Sequence, residues 1–143
     1  MKKSFTLFIA ALAIQFAAAQ SAYEGKVEYS KKDQETFAIE FPYPPSVVED
    51  ALLEKMAAMG HKAKESKGFR NYKNTVLGKI SSESMDYIFR VEKKSRKEKD
   101  ESVVYMLIYK ADANIVPVMD GVIKDQAKTF LNEMVPYVEA YNL

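Results

Sequence analysis

The sequence VVYMLIY (103–109) decides the fold, because it is apolar on both of the faces that a strand would present. A short run of this kind, rich in β-branched and aromatic side chains, is typical of a strand buried on both sides. Upstream, Met85–Val91 alternates between apolar and polar side chains, as a strand with one buried face does. The highly charged segment 93–101 joins the two. We therefore predict a long antiparallel hairpin with a solvated tip, whose second strand is the centre of a sheet.

Further strands are indicated on the N-terminal side of this hairpin. Lys26–Ser30 and Thr36–Phe41 alternate, and the polar residues 31–35 between them are typical of a turn, so they predict a first hairpin. Weaker strand patterns cover 61–66, 69–72 and 75–80, with a tight turn at Lys67-Gly68, a further turn at 71–74 and a loop at 81–84.

Two helices are predicted. SVVE (46–49) has the form of a capping box, and the helix that it opens runs to about Met59 and ends at Gly60. A long C-terminal helix begins near Asp120, and Pro136 should kink or break it. The apolar stripe of the first helix comprises Val48, Leu52, Met56 and Met59, and that of the second comprises Ile123, Ala127, Phe130, Leu131, Met134, Val138 and Tyr141.

The order of these elements predicts an α+β fold. An antiparallel sheet of about five to seven strands, with the early helix and the long C-terminal helix packed on one face, buries every apolar stripe. The length of 20–143 suits a single domain.

Three segments carry a resemblance to a known family: FPYPP (41–45), KKSRKEK (93–99) and VPYVEAYNL (135–143). In these the chain resembles a family of small exported proteins from Bacteroidota, and over Lys26–Leu143 its element order is similar to the helix-grip and TATA-binding-protein-like folds. The resemblance implies the fold but transfers no catalytic residue. Helix-grip folds host ligand carriers, envelope-assembly modules and enzymes, so the fold does not fix the function.

The N-terminal sequence MKKSFTLFIAALAIQFAAA (1–19) has the three parts of a secretory signal peptide: two lysines, an apolar core and a small-residue cleavage site before Gln20. We therefore expect an exported protein, in the periplasm first and outside the cell second. No cysteine is present for a disulfide, a lipid anchor or a thiolate metal site. No second stretch reaches the ~18 apolar residues of a membrane span, so we expect no transmembrane segment in 20–143.

Charge is distributed unevenly along the chain. Residues 62–99 contain 12 basic and 5 acidic side chains, whereas 20–61 contain 4 and 8, and 100–143 contain 3 and 7. The near-neutral total argues against nucleic acid as a partner. The basic middle predicts a surface that attracts an anionic envelope component or an acidic protein, while lysines that protect a sheet edge are the alternative interpretation. The basic side chains expected to line this surface are Lys62, Lys64, Lys67, Arg70, Lys73, Arg90, Lys93, Lys94, Arg96 and Lys97. The candidate anion-binding residues among them are Arg90, Lys93, Lys94, Arg96 and Lys97.

Aromatic residues predict a second kind of site. A cavity between the sheet and the long helix would hold an apolar small molecule, although aromatic side chains at strand spacing are also expected in any half-buried sheet. The candidate lining comprises Tyr72, Tyr87, Phe89, Tyr105 and Phe130.

Catalytic and metal-binding patterns are weak. His61 is the one histidine, and it has no nucleophile motif or cysteine beside it. Glu49, Asp50 and Glu54 fall near the start of a helix, where the helix dipole accounts for them. We therefore expect no cofactor and a non-enzymatic binding or accessory module of the envelope that uses the basic surface. A carrier of an apolar molecule is the first alternative, and a hydrolase using His61 or these carboxylates is the second.

Overall fold

The structure of the protein, a computed structural model, describes residues 20–142. The segment 1–19, which the sequence indicates to be a signal peptide, and Leu143 lie outside the described residues. The predicted α+β class is confirmed, with a seven-stranded antiparallel sheet and helices on one of its faces. The elements are β1 (Tyr23–Tyr29), β2 (Lys32–Phe41), α1 (Pro45–Ala58), β3 (Lys64–Ser66), β4 (Phe69–Thr75), β5 (Met85–Lys93), β6 (Ser102–Lys110), β7 (Ala113–Asn114), a 3₁₀ helix (Val116–Val118), α2 (Gly121–Asn132) and α3 (Met134–Tyr141).

The VVYMLIY sequence forms the centre of this sheet, as predicted. The strand order is β1-β2-β6-β5-β4-β3, so β6 lies between β2 and β5. Its Met106 is fully buried on the helix side, and Leu107 is buried on the other side. β5 pairs with β6 from Asp86 to Lys93, which confirms the long hairpin.

The start of α1 differs from the prediction. Its N-cap is Pro44, no side chain caps the helix, and Ser46 lies inside the first turn, so the predicted capping box is wrong. Pro45 is the first helical residue, a position where the missing proline N–H is not needed. At the other end, Gly60 has φ +89°, as a helix-ending glycine requires, but the predicted stripe residue Met59 is exposed.

The C-terminal helix begins where it was predicted, with the Asp120 side chain accepting a hydrogen bond from the Ile123 N–H at 3.0 Å. It is interrupted at Glu133, and Pro136 follows as the third residue of α3. Proline is tolerated there because the first-turn N–H groups of a helix have no partner within it. The predicted stripe is buried from Ala127 to Val138, whereas Tyr141 is exposed.

The strand predicted over 75–80 is absent. β4 ends at Thr75 and a loop follows as far as Ser84. Leu77 and Ile80 are nevertheless buried in the helix-side core. Their apolar character therefore reflects a loop that packs against the core, which sequence periodicity alone does not distinguish from a short strand.

Candidate functional site

The two faces of the sheet are covered differently. On one face, side chains such as Phe37, Tyr87 and Met106 pack against all three α-helices in the main core. On the opposite face, which we call the open face, no helix among residues 20–142 packs. This face is covered in part by the chain's own first hairpin.

The residues predicted to line a cavity are divided between these faces. Tyr72, Tyr87, Phe89 and Phe130 are at most 2 % exposed and belong to the helix-side core. Tyr105 lies on the open face, because its neighbours in β6 point toward the helices and alternate strand residues point to opposite faces. The five side chains therefore do not share one face of the sheet.

The β1–β2 hairpin bends over the open face. β2 pairs with β6 only over Phe37–Phe41, so the half of the hairpin nearest its turn is paired only within itself. β1 and β4 are four strand spacings apart, roughly 19 Å in a flat sheet. Yet the rings of Tyr29 in β1 and Phe69 in β4 are 4.9 Å apart between centroids. The hairpin tip must therefore fold across the sheet.

A second, small core forms beneath the bent hairpin. Val27 from β1 packs there with Phe69, Ile88 and Leu107, which come from the three strands that it crosses. Hydrogen bonds hold the hairpin from the side: the Asn114 amide donates to the backbone carbonyl of Glu35 at 2.9 Å. Asn114 belongs to β7, which pairs with β6 at Tyr109 and Lys110, past the last residue of β6 that pairs with β2.

A cleft of about 660 Å³ opens between the tip of the β1–β2 hairpin, the tip of the β3–β4 hairpin and strand β5. We call it the open-face cleft. Its walls combine apolar, polar and charged side chains, with three cations and two carboxylates. The lining comprises Val27, Glu28, Tyr29, Ser30, Lys31, Ser66, Lys67, Phe69, Asn71, Ile88, Arg90 and Glu92.

Arg90 is the best-positioned cation of the cleft. Its guanidinium carbon lies 4.8 Å from the centroid of the Phe69 ring, a cation–π contact. Its Nε donates to Glu92 at 2.9 Å, and its Nη1 donates to the backbone carbonyl of Lys67 at 3.3 Å. These contacts fix the plane of the guanidinium, so a ligand does not have to order a mobile side chain.

Both hairpin tips at the cleft are two-residue turns in the left-handed backbone region. Ser30 and Lys31 have φ values of 52° and 64°, and Lys67 and Gly68 have 52° and 83°. Paired positive φ values are typical of type I′ turns, which suit the twist of a hairpin. The turn predicted at Lys67-Gly68 is confirmed, whereas the first turn is shorter than the predicted 31–35. A Cβ on Gly68 would lie 3.3 Å from Arg90 Nη1, so glycine also makes room for the guanidinium.

Asn71 places an amide at the cleft. It faces the open side, between Phe69 and the end of β4, and pairs in register with Ile88 of β5. Its Oδ1 is buried and accepts no hydrogen bond from any residue in the described part of the chain. An unpaired buried acceptor is unfavourable, so Asn71 is a polar group for which residues 20–142 supply no hydrogen-bond partner.

The other four candidate anion-binding residues are not in the cleft. Lys93 ends β5, and the remaining three lie in the β5–β6 connection. Lys94 Nζ lies 2.9 Å from Glu40 Oε1 and 3.6 Å from Glu98 Oε2, and the hydrogen bond to Glu40 raises the pKa of Lys94. The structure thus brings Arg90 together with Lys67, which belongs to the wider basic surface, and with Lys31, which was not among the candidates. The rest of the candidate set comprises Lys93, Lys94, Arg96 and Lys97.

The carboxylates and the histidine considered for catalysis lie away from the cleft. Glu49 forms an ion pair with Arg70 at 3.3 Å on the helix side of the sheet. His61 follows α1 and Gly60. Between residues 20 and 142 no group of three or more His, Cys, Asp or Glu side chains is arranged to hold a metal ion.

Comparison of the chain with protein-family models, with curated proteins and with solved structures gave no match in any of the three. Over residues 20–142, no helix is both long and apolar enough to cross a bilayer. The resemblance to exported Bacteroidota proteins stays a prediction.

Two cleft residues, Lys31 and Asn71, were missed by the sequence analysis as site residues. Lys31 was assigned only to a turn, and Asn71 to the 69–72 strand and the 71–74 turn. Lys67 was predicted both at a turn and on the basic surface. A signal existed for Lys31, since turn residues project from hairpin tips. Nothing in the sequence signals that the two tips meet, because the apolar face of Val27 and Tyr29 does not identify its packing partner.

Proposed function

We propose that the protein acts after export, in the periplasm or outside the cell, as a non-enzymatic binding module whose open-face cleft holds the anionic group of its ligand. The observation that carries this proposal is the convergence of Lys31, Lys67 and Arg90 on one cleft. They come from the first turn, the β3–β4 turn and β5. The partner class is an anionic envelope component or an acidic protein.

The charges of the cleft favour a ligand with few negative charges. Glu28 and Glu92 also line it, so the three cations are partly balanced. Glu92 accepts from Arg90 Nε and the Lys67 carbonyl accepts from Nη1, which leaves Nη2 for a ligand. Cations clustered in a concave site act more strongly on an anion than the same charges on a convex surface, because the low-dielectric walls focus the field.

The β5–β6 connection is the competing anion-binding surface, and its charges support it less. The connection also contains the carboxylates of Glu98, Asp100 and Glu101, next to its basic residues. Lys94 is already engaged by two carboxylates. An incoming anion would have to displace them.

The test is a titration of the purified protein with inorganic phosphate at low salt, followed by amide NMR. We expect shifts at Tyr29, Phe69 and Arg90, and weaker binding as ionic strength rises. Arg90→Gln should weaken binding about tenfold or more, since charge-assisted hydrogen bonds contribute about 1.5–3 kcal/mol. Lys97→Gln removes the same charge from the connection and is the matched control, with a change of less than about twofold.

Two outcomes contradict the proposal. Shifts confined to 93–99 and a large effect of Lys97→Gln would move anion binding to the β5–β6 connection. Absence of saturable phosphate binding at low salt would remove the cleft as an anion site.

A further inference from the structure

We infer that the ligand of the open-face cleft is an acidic saccharide, a sugar ring that carries one carboxylate or phosphate group. This rests on the proposed function and adds the class of ligand. It follows from the cleft groups that an anion alone would leave unused: an amide without a partner, the second carboxylate oxygen of Glu92 and an apolar wall.

The Asn71 amide indicates a ligand that donates hydrogen bonds. Its Oδ1 is buried and has no donor among residues 20–142. The terminal torsion of an asparagine side chain is soft, so a modest rotation turns this oxygen toward the cleft that the residue lines. A bare anion such as phosphate is satisfied by the cations, whereas a sugar hydroxyl supplies the hydrogen that Oδ1 lacks.

The carboxylate of Glu92 limits the negative charge of the ligand. Its Oε2 accepts the hydrogen bond from Arg90 Nε, so it neutralises part of the positive charge of the cleft. Its other oxygen can still accept a hydrogen bond from a hydroxyl group. A ligand with one anionic group suits the remaining charge, whereas a polyanion would place further negative charges against Glu92.

The walls of the cleft suit the ring of a sugar. The C–H groups on one side of a pyranose form an apolar patch that packs on an aromatic ring. Tyr29 is only partly buried and lines the cleft beside Phe69, with Val27 and Ile88 completing the apolar part. The volume of about 660 Å³ lies within the range of small-molecule sites and exceeds the needs of phosphate alone.

The experiment compares matched pairs of probes by calorimetry on the purified protein: glucuronate with acetate, and glucose 6-phosphate with inorganic phosphate. At least one acidic sugar should bind about tenfold tighter than its bare anion, because it adds hydrogen bonds and ring contacts. Glucose should bind far more weakly than either sugar, since it lacks the anion. Preference for glucuronate identifies a carboxylate sugar, and preference for glucose 6-phosphate a phosphorylated one.

Two variants test whether the higher affinity for an acidic sugar comes from contacts in the open-face cleft. Asn71→Leu should lower the affinity for the acidic sugar about tenfold more than it lowers the affinity for inorganic phosphate, and circular dichroism checks that the variant is folded. Tyr29→Leu keeps apolar packing but removes the ring, with the same expected pattern. Sugars that bind no tighter than their bare anions, or an acidic-sugar affinity indifferent to both variants, would overturn the inference while anion binding stands. Failure of every anion to bind would overturn both.

Discussion

Tyr87 carries a hydroxyl into the helix-side core, where its oxygen is buried without a hydrogen-bond partner in the described residues. Tyr87→Phe removes this group and keeps the ring. We expect the variant to be more stable by about 1 kcal/mol at pH 7, since an unpaired buried polar atom costs about that much. Urea unfolding measures the change. Tyr72→Phe, at a ring equally buried whose hydroxyl is not such an unpaired atom, is the control and should gain less.

The same hydroxyl makes stability depend on alkaline pH. Burial raises the pKa of Tyr87 to about 12, whereas a tyrosine in the unfolded chain has a pKa of about 10. The unfolded state therefore loses its proton first, and native stability due to this group falls as pH rises from about 10 to about 12. The advantage of Tyr87→Phe should widen over that interval. A variant that is less stable than the wild type at pH 7 would show that the hydroxyl has a partner.

Among elements, the turns carry the clearest backbone strain. Ala111 and Asp112, between β6 and β7, have φ values of 51° and 63°, like Ser30 and Lys31 in the first turn. Asn-Gly is the preferred pair for this geometry. Replacing either pair by Asn-Gly should stabilise the protein by about 1 kcal/mol, measured by thermal or urea unfolding.

The Asn-Gly replacement should affect phosphate binding at one of the two turns and not at the other. Ala111→Asn with Asp112→Gly lies outside the cleft and should leave phosphate affinity unchanged. Ser30→Asn with Lys31→Gly should weaken phosphate binding although it stabilises the fold, because Lys31 lines the cleft. If both pairs affect binding equally, Lys31 is not a binding residue.

Most elements could be predicted from their own sequence, because the information is local. The alternation of residues 85–91 predicts a strand whatever packs beside it. The same holds for residues 103–109, which are apolar on both faces. The failures have physical causes outside the segment. SVVE matches a capping box, but the helix starts at Pro45 with Pro44 as its N-cap, two residues earlier than a Ser46 cap would place it. The 75–80 segment contains apolar residues because Leu77 and Ile80, which lie in a loop, are buried in the helix-side core.

At the scale of the whole molecule, the sequence did not predict which residues come together to form the open-face cleft. Arg90 was a candidate because of the charge of its region, but Lys31 is about 60 residues away in the chain. Only the bend of the β1–β2 hairpin brings them to one cleft. Alternation shows that Val27 and Tyr29 share an apolar face and contains no information about which distant residues they meet.

The bend also predicts a hierarchy of stability. The tip of the hairpin pairs only with itself and rests on a small cluster, whereas Phe37–Phe41 is paired with β6 above the main core. Amide hydrogens of Val27–Gln34 should therefore exchange through a local opening of lower free energy than those of β5 and β6. Native-state hydrogen exchange at increasing guanidinium concentration measures this. Exchange of the tip and of β6 at one common free energy would contradict it.

The pairing of β2 with β6 has a consequence for the newly made chain. β2 is complete at Phe41, but its partner strand begins only at Ser102, about 60 residues later. At ~5–20 residues per second, synthesis of that interval takes roughly 3–12 s. Throughout it the inner edge of the first hairpin has no strand to pair with, and its backbone groups are available to any other extended chain nearby. The strand that becomes one of the most enclosed in the finished sheet is thus among those that wait longest for a partner during synthesis.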